Sequence, residues 1–390
     1  MSRYSGGAQV LWKSIFQILP VLAWLVSYLV VVSPLGLSRL RALIATAALG
    51  LAFSKFAFFA AAGGNSFTPD LPQYVIWAYG CVYGAAMMLT AFAFLASLFD
   101  VAARAVRRPV PLRAKRIRCA VLAAFAASLS LWGIYEGVRI PSVTRVEIEF
   151  ADLPTSFDGY RIVHLSDLHC SSAARRGRFE RIVEKVNALK PDLVAITGDF
   201  VDGTVSARRD DLAPLADIVA RDGVVGCTGN HERYWEWRRW RVALKGMGIV
   251  FPEESGVYLV GRGRDALAVG GLADWSFGVC SNACTAFAGA PIDAFRILLF
   301  HRPYTSAIAS AAGGVGLQLS GHTHGGAMPI LRLLVEYTNE GKSRGLYEFA
   351  PGRYLHLSAG TGQWAGFPLR LFVPAEISEI TLRRTVKRGE

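Results

Sequence analysis

The chain has 390 residues, and its 42 Lys/Arg against 30 Asp/Glu give a formal charge of +12, but that charge is unevenly spread. Residues 1–140 hold 13 Lys/Arg and only three acids, Asp70, Asp100 and Glu136, while the rest of the chain is nearly neutral. That balance excludes a basic nucleic-acid footprint on the globular part, and six scattered cysteines without a CxxC pair exclude a zinc ribbon or a thioredoxin-type site. Four long apolar runs come first in chain order, near 14–35, 42–62, 74–99 and 119–135. Each is read as a transmembrane helix, so that 1–140 forms an all-α membrane region. The first is kept as a helix because Pro34, Leu35 and Gly36 follow it, with no small-residue cleavage pattern of a signal peptide. Lys55, inside the second run, is read as snorkelling to the nearby interface.

Arg104, Arg107, Arg108, Arg113, Lys115, Arg116 and Arg118 crowd the connection between spans three and four, whereas that between spans two and three carries only Asp70. Cytoplasmic arginines then predict that span four exits on the far side of an inner membrane and that the following domain is extracytoplasmic.

From about residue 145 the pattern changes to short alternating elements. Arg161-Ile-Val-His-Leu-Ser166 reads as a buried strand, and Phe179, Ile182, Val183, Val186 and Leu189 recur at helical spacing over 175–189. Leu193–Thr197 is a second strand, so the unit predicts a parallel pair with a right-handed crossover. A helical stretch near 211–221 leads to a strand at Val224–Thr228. Further strands are expected near 258–260, 267–272, 296–300, 316–320 and 354–358. Cys280 and Cys284 are near enough to bond in an oxidising compartment, but two free thiols in a loop is the preferred reading.

Polar residues recur just after these strands, where open α/β sheets build their sites. In order they are Asp167-Leu-His169, Gly198-Asp199, Gly229-Asn-His-Glu232, His301 and Gly321-His-Thr-His324, which use five of the seven histidines. Imidazoles mixed with carboxylate and amide oxygens suit hard and borderline cations. Two cations held close together need a shared ligand, and a carboxylate can offer one oxygen to each. His164, within a strand, and His356 have no motif partner and read as core histidines or supports for the ligands.

This ordered set resembles the calcineurin-like metallophosphoesterase superfamily, over about residues 160–325 and on to about 384. The N-terminal helices, with Pro368-Leu-Arg370 and Pro374-Ala-Glu376, resemble its bacterial membrane-associated branch. The resemblance implies an α/β domain over 145–390, a four-layer αββα sandwich. It implies two divalent metal ions (Mn, Fe, Zn or similar). Asp167, His169 and His324 hold the first, Asn230, His301 and His322 the second, and Asp199 bridges them. His231 serves as proton donor or phosphate contact, and Glu232 orients it. Cys170 and Ala327 depart from the usual pattern without removing a ligand. Beside the site, Arg233-Tyr-Trp-Glu-Trp-Arg-Arg-Trp-Arg241 interleaves basic and aromatic residues. Arg233 and Trp235 are candidate substrate contacts, while an amphipathic helix with buried aromatics is the preferred account of the run. Trp364, Phe367 and Arg370 are candidates for the same surface.

The implied reaction is metal-dependent hydrolysis of a phosphodiester or phosphomonoester, a lipid-linked one among the candidates, by a metal-bridging hydroxide. The bilayer is the other partner. The alternatives are a pyrophosphohydrolase acting on a nucleotide-linked lipid precursor, which an extracytoplasmic domain disfavours, and a non-catalytic membrane sensor, which the intact ligand set disfavours.

Overall fold

The computed structural model describes residues 18–63, 68–274, 283–304 and 313–385. Cys280 lies outside them, as does the predicted start of the first span. The chain divides into two compact units, Met1–Tyr135 with Gly366–Leu369, and Glu136–Ala365 with Arg370–Glu390.

In the helical unit, α1 (Ile18–Leu35), α4 (Gln73–Ala105) and α5 (Leu112–Val138) are each long and apolar enough to cross a membrane. Between α1 and α4, α2 (Arg39–Phe53) and α3 (Lys55–Ala61) meet at a 60° bend and form a fourth span only if taken together. The sequence predicts a single helix near 42–62 there. It also ends the third span at 99 and begins the fourth at 119, yet both helices run on through the charged residues. The charges are accommodated locally: Arg118 grips Asp100 at 2.8 and 2.7 Å, Lys115 joins at 3.5 Å, and Arg116 donates to the carbonyls of Leu35 and Gly36. Leu22, Leu29, Leu43, Leu95 and Phe125 are exposed, as expected of a surface solvated by lipid. Small polar bonds tie the helices, including Ser27 to Thr90 at 2.6 Å and Ser130 to the Cys81 carbonyl at 2.7 Å.

Lys55 does not snorkel. It is fully buried, its ammonium donates to the Gly366 carbonyl, and it lies over the rings of Phe56, Phe59, Tyr83 and Phe367. A carbonyl and aromatic faces replace water around the charge. Gly84 lets this packing close up, since a Cβ there would come within 2.6 Å of Ser130 Oγ and 2.7 Å of Leu369.

The second unit is built on two six-stranded sheets. The first contains β1 (Ser142–Phe150), β2 (Tyr160–Leu165), β3 (Leu193–Thr197), β4 (Val224–Cys227), β5 (Ile249–Val250) and β12 (Glu376–Arg384), in the order β1-β12-β2-β3-β4-β5. The second contains β6 (Tyr258–Arg262), β7 (Asp265–Leu272), β8 (Phe295–Phe300), β9 (Val315–Ser320), β10 (Gly345–Ala350) and β11 (Arg353–Leu357), in the order β10-β11-β9-β8-β7-β6. β2, β3 and β4 pair in parallel, as the strand–helix–strand pattern predicts.

The period-2 alternation assigns the faces. Ile162, Leu193, Ala195 and Val225 meet Leu267, Ile297, Leu299 and Leu317 between the sheets. Val163, Leu165, Val194 and Ile196 turn outwards under α6 (Arg176–Ala188) and α9 (Trp237–Gly246) through Phe179, Ile182, Trp240 and Leu244. The outer face of the second sheet is covered by Ala283, Ala286 and Phe287. The helix expected near 211–221 lies earlier, as α7 (Val205–Leu212) with a 3-10 turn at Ala213–Asp217. Pro214 fits only the first turn of a helix, so it marks a new start rather than an interior.

Candidate metal centre

Every motif residue sits where a strand ends. Asp167 and His169 follow β2, Asp199 follows β3, α8 (Asn230–Tyr234) starts just beyond β4, His301 follows β8, and His322 and His324 follow β9. These loops converge closely, and glycine makes that possible: a Cβ on Gly321 would lie 1.8 Å from Ser166 Oγ, and one on Gly229 would lie 2.2 Å from Asp199 Oδ1. Asp167, His169, Asp199, His322 and His324 all adopt positive φ, between 46° and 75°. L-residues adopt this region at a cost, and such strain gathers at functional sites.

Three groups of side chains each bring candidate metal-ligating atoms within 4.8 Å of one another: Asp167 with His169 and His324, His169 with Asp199 and His231, and Asp199 with His301 and His322. Asp199 Oδ2 is central, 3.3 Å from His301 Nε2, 3.8 Å from His169 Nε2 and 3.9 Å from His231 Nε2. Its Oδ1 accepts from the His231 amide at 2.9 Å. Asn230 Oδ1 and His301 Nε2 are buried without a hydrogen-bond partner. Buried polar atoms of this kind are satisfied by partners outside the protein, and a buried amide oxygen is a ligand suited to a divalent cation.

The outer nitrogens of the imidazoles are also engaged. His169 Nδ1 pairs with Asp202 Oδ2 at 2.9 Å, and His231 Nδ1 with Asp202 Oδ1 at 2.5 Å. His301 Nδ1 donates to the Thr197 carbonyl at 2.7 Å. Arg370 Nη2 donates to His324 Nδ1 at 3.1 Å, and Arg302 Nη1 to His322 Nε2 at 3.3 Å. Arg302 is in turn paired with the buried Asp274 at 2.7 Å.

Asp202, Arg370, Arg302 and its partner Asp274 are residues whose parts the sequence left unread, and Arg302 and Asp274 stood in no motif. Asp202 offered a signal, a carboxylate three positions beyond Asp199 across the apolar pair Phe200-Val201. Arg370 stood in a flagged motif, but only folding puts its guanidinium behind His324, where it also donates to the Gly362 carbonyl at 2.7 Å.

With no cation bound, the carboxylates set the proton balance. Burial opposes charge on His231, but Asp202 and Asp199 outweigh it and hold its pKa up at about 9. Burial likewise opposes charge on His301, where Asp199 and Asp167 raise the pKa to about 10. Burial pushes His322 down to about 3, with His301 and Arg302 adding to the push. Burial, with Asp199 adding to it, raises Glu232 to about 7.

Glu232 contacts backbone rather than the His231 ring. It accepts from the amides of Asp199, Phe200 and Gly229 at 3.1, 2.6 and 2.7 Å and so staples two ligand loops together. Trp235 packs half-buried on the core beneath α9, and Arg233 is exposed. In the basic-aromatic run, Trp240 is fully buried while Arg238 and Arg239 are exposed, which is the amphipathic-helix account. Trp364 stands 6.3 Å from His231, ring to ring, whereas Phe367 belongs to the helical unit. His164 and His356 hydrogen-bond each other at 3.0 Å between the sheets, as core histidines.

A family model described as calcineurin-like phosphoesterase matches residues 160–326. A zebrafish (Danio rerio) transmembrane protein with metallophosphoesterase domain is 32% identical over 268 residues, covering 66% of this chain and 61% of its own length. The protein of the same name from Bos taurus is 29% identical over 326 residues, covering 78% and 73%. An uncharacterized metallophosphoesterase of Aquifex aeolicus is 31% identical over 257 residues, covering 62% of this chain and 91% of its own length. The chain therefore spans less than two thirds of the zebrafish relative.

Proposed function

The chain belongs to the calcineurin-like metallophosphoesterases, and from that premise we propose that it hydrolyses a phosphodiester or phosphomonoester, a lipid-linked ester among the candidates, at a centre of two divalent cations. Asp167, His169 and His324 would hold the first and Asn230, His301 and His322 the second, with Asp199 shared. The observation that carries this reading is the carboxylate of Asp199 faced by His301, His169 and His231 within 3.9 Å. When bound, the cations supply Lewis acidity and a water whose pKa falls towards neutral.

The chain's own residues manage the leaving group. Asp202 holds His231 by Nδ1, so the ring is fixed and Nε2 is the position from which a proton can be given. An alkoxide leaving group requires that proton in the transition state. Glu232 keeps the loops of Asp199 and Asn230 in register. A panel of phosphomonoesters, phosphodiesters and phospholipids, turned over by the full-length protein in bilayers with its metal content measured alongside, tests the assignment. Two bound cations without turnover of any ester would count against it.

The same proposal places the domain outside the cytoplasm. What supports this is the basic cluster around the short 106–111 connection between α4 and α5. The side of the domain depends on α5 crossing, whether or not α2 and α3 count as one span. Reporter fusions after Lys115 and after Glu390 should report opposite sides, cytoplasmic and extracytoplasmic. A cytoplasmic C-terminal reporter would overturn the orientation and restore weight to the nucleotide-linked substrate.

A further inference from the structure

α10 (Pro329–Thr338) begins five residues after His324 and presents an apolar stripe that the described residues leave uncovered. Ile330, Leu333, Leu334 and Tyr337 are 73%, 70%, 61% and 87% exposed. They stand at positions i, i+3, i+4 and i+7, which is one face of a helix. The opposite side is fastened to the domain. Val335 and Glu336 are half-buried, Glu336 accepts from Ser343 Oγ at 2.9 Å, and the Thr338 carbonyl accepts from Tyr304 at 3.1 Å. A Cβ on Gly326 would come within 2.5 Å of Arg332 Cα, so the helix lies tightly on the loop that follows the candidate ligands. The stripe is therefore held outwards by a fixed helix.

We propose that α10 is an interfacial helix and that its Ile330, Leu333, Leu334 and Tyr337 face enters the headgroup–acyl boundary of the bilayer that the N-terminal helices cross. Three observations select a bilayer over another occupant. Only residues 139–141 separate the end of α5 from β1, a tether of roughly 14 Å at full extension, so a bilayer is always within reach of this domain. The stripe is aliphatic with a tyrosine towards one end, the composition of membrane–water interfaces. The acids near it are neutralised within the protein, Glu336 by Arg332 at 2.6 Å and Glu340 by Lys342 at 2.8 Å, so these carboxylates do not repel an anionic headgroup layer. The surface stands on its own, whichever ester the metal centre hydrolyses.

The test uses the full-length chain in vesicles of phosphatidylethanolamine with a minority of phosphatidylglycerol. p-Benzoylphenylalanine replaces Leu333 or Tyr337, with Val219, itself 70% exposed, as the control position. Irradiation should give phospholipid adducts from 333 and 337 at several times the control yield, read by mass spectrometry. Adduct yields at 333 and 337 no higher than at 219 would overturn the proposal. So would a covalent dimer as the main product, which would make the stripe a contact between copies.

Discussion

The two candidate cation positions share one plan and differ in charge. Each contains one imidazole backed by an acceptor and one backed by a guanidinium. In the first position His169 is backed by Asp202 and His324 by Arg370. In the second His301 is backed by the Thr197 carbonyl and His322 by Arg302. Burial keeps His324 and His322 unprotonated, with their histidine neighbours and then the guanidiniums adding to it, and the acceptors fix the ring whose other nitrogen faces inwards. The first position, however, adds two carboxylates, Asp167 and Asp202, where the second has the Asn230 amide and a peptide carbonyl. Similar frames with different charge imply unequal affinity: the first cation should bind more tightly, and the second should exchange more readily.

Four outcomes would sharpen or break that contrast. The largest effect is expected at the residue common to both positions. Asp199→Asn should reduce hydrolysis of an aryl phosphodiester by on the order of 10³-fold or more, with both cations weakened. Wild-type turnover with two metals retained would remove Asp199 from the shared role.

His231 comes next because it belongs to neither set. His231→Ala should slow alkyl esters by ~10²–10⁴-fold and activated aryl esters far less, with metal content unchanged. Plots of kcat/KM against leaving-group pKa must steepen in the mutant; parallel lines would leave His231 only a structural or phosphate-contact role. The same residue sets a pH limb. A general acid works while protonated, so activity on alkyl esters should be present below its pKa and decline as pH rises through it. That pKa is about 9 with no cation bound, and bound cations, which repel the imidazolium, should move the limb to lower pH.

Smaller again, Asp202→Asn should weaken the first cation by ~10–100-fold, whereas Asn230→Ala should empty the second and spare the first. Metal content after graded dialysis against a chelator distinguishes these outcomes. If wild type lost both cations together, the inequality argued from Asp167 and Asp202 would be wrong.

Much of this was legible from the chain. The ligand motifs stand out because glycine and the chemistry-bearing residue alternate at strand ends, and the strands themselves follow from short apolar runs. What stayed hidden depends on folding. Lys55 looked like a lysine near an interface because its partner, the Gly366 carbonyl, is 311 residues away in sequence. β1 and β12 pair in parallel from opposite ends of the domain, Ser142 with Glu376 through Phe150 with Arg384, and no local pattern encodes that register. The bend between α2 and α3 falls at Ser54-Lys55 inside an otherwise apolar run, where one charged residue does not by itself signal a break. The resemblance implies that Glu232 orients His231, yet in the fold its carboxylate accepts from the amides of Asp199 and Gly229.

The left-handed backbone at Asp167, His169, Asp199, His322 and His324 has a practical consequence for anyone seeking a hardier variant. Each such residue costs on the order of 1 kcal/mol relative to an unstrained one, and glycine would relieve it. A library screened for heat resistance alone, without metal, should therefore enrich glycine at these five positions. Its winners would be sturdy and inert, so any useful screen must demand turnover and endurance from the same clone.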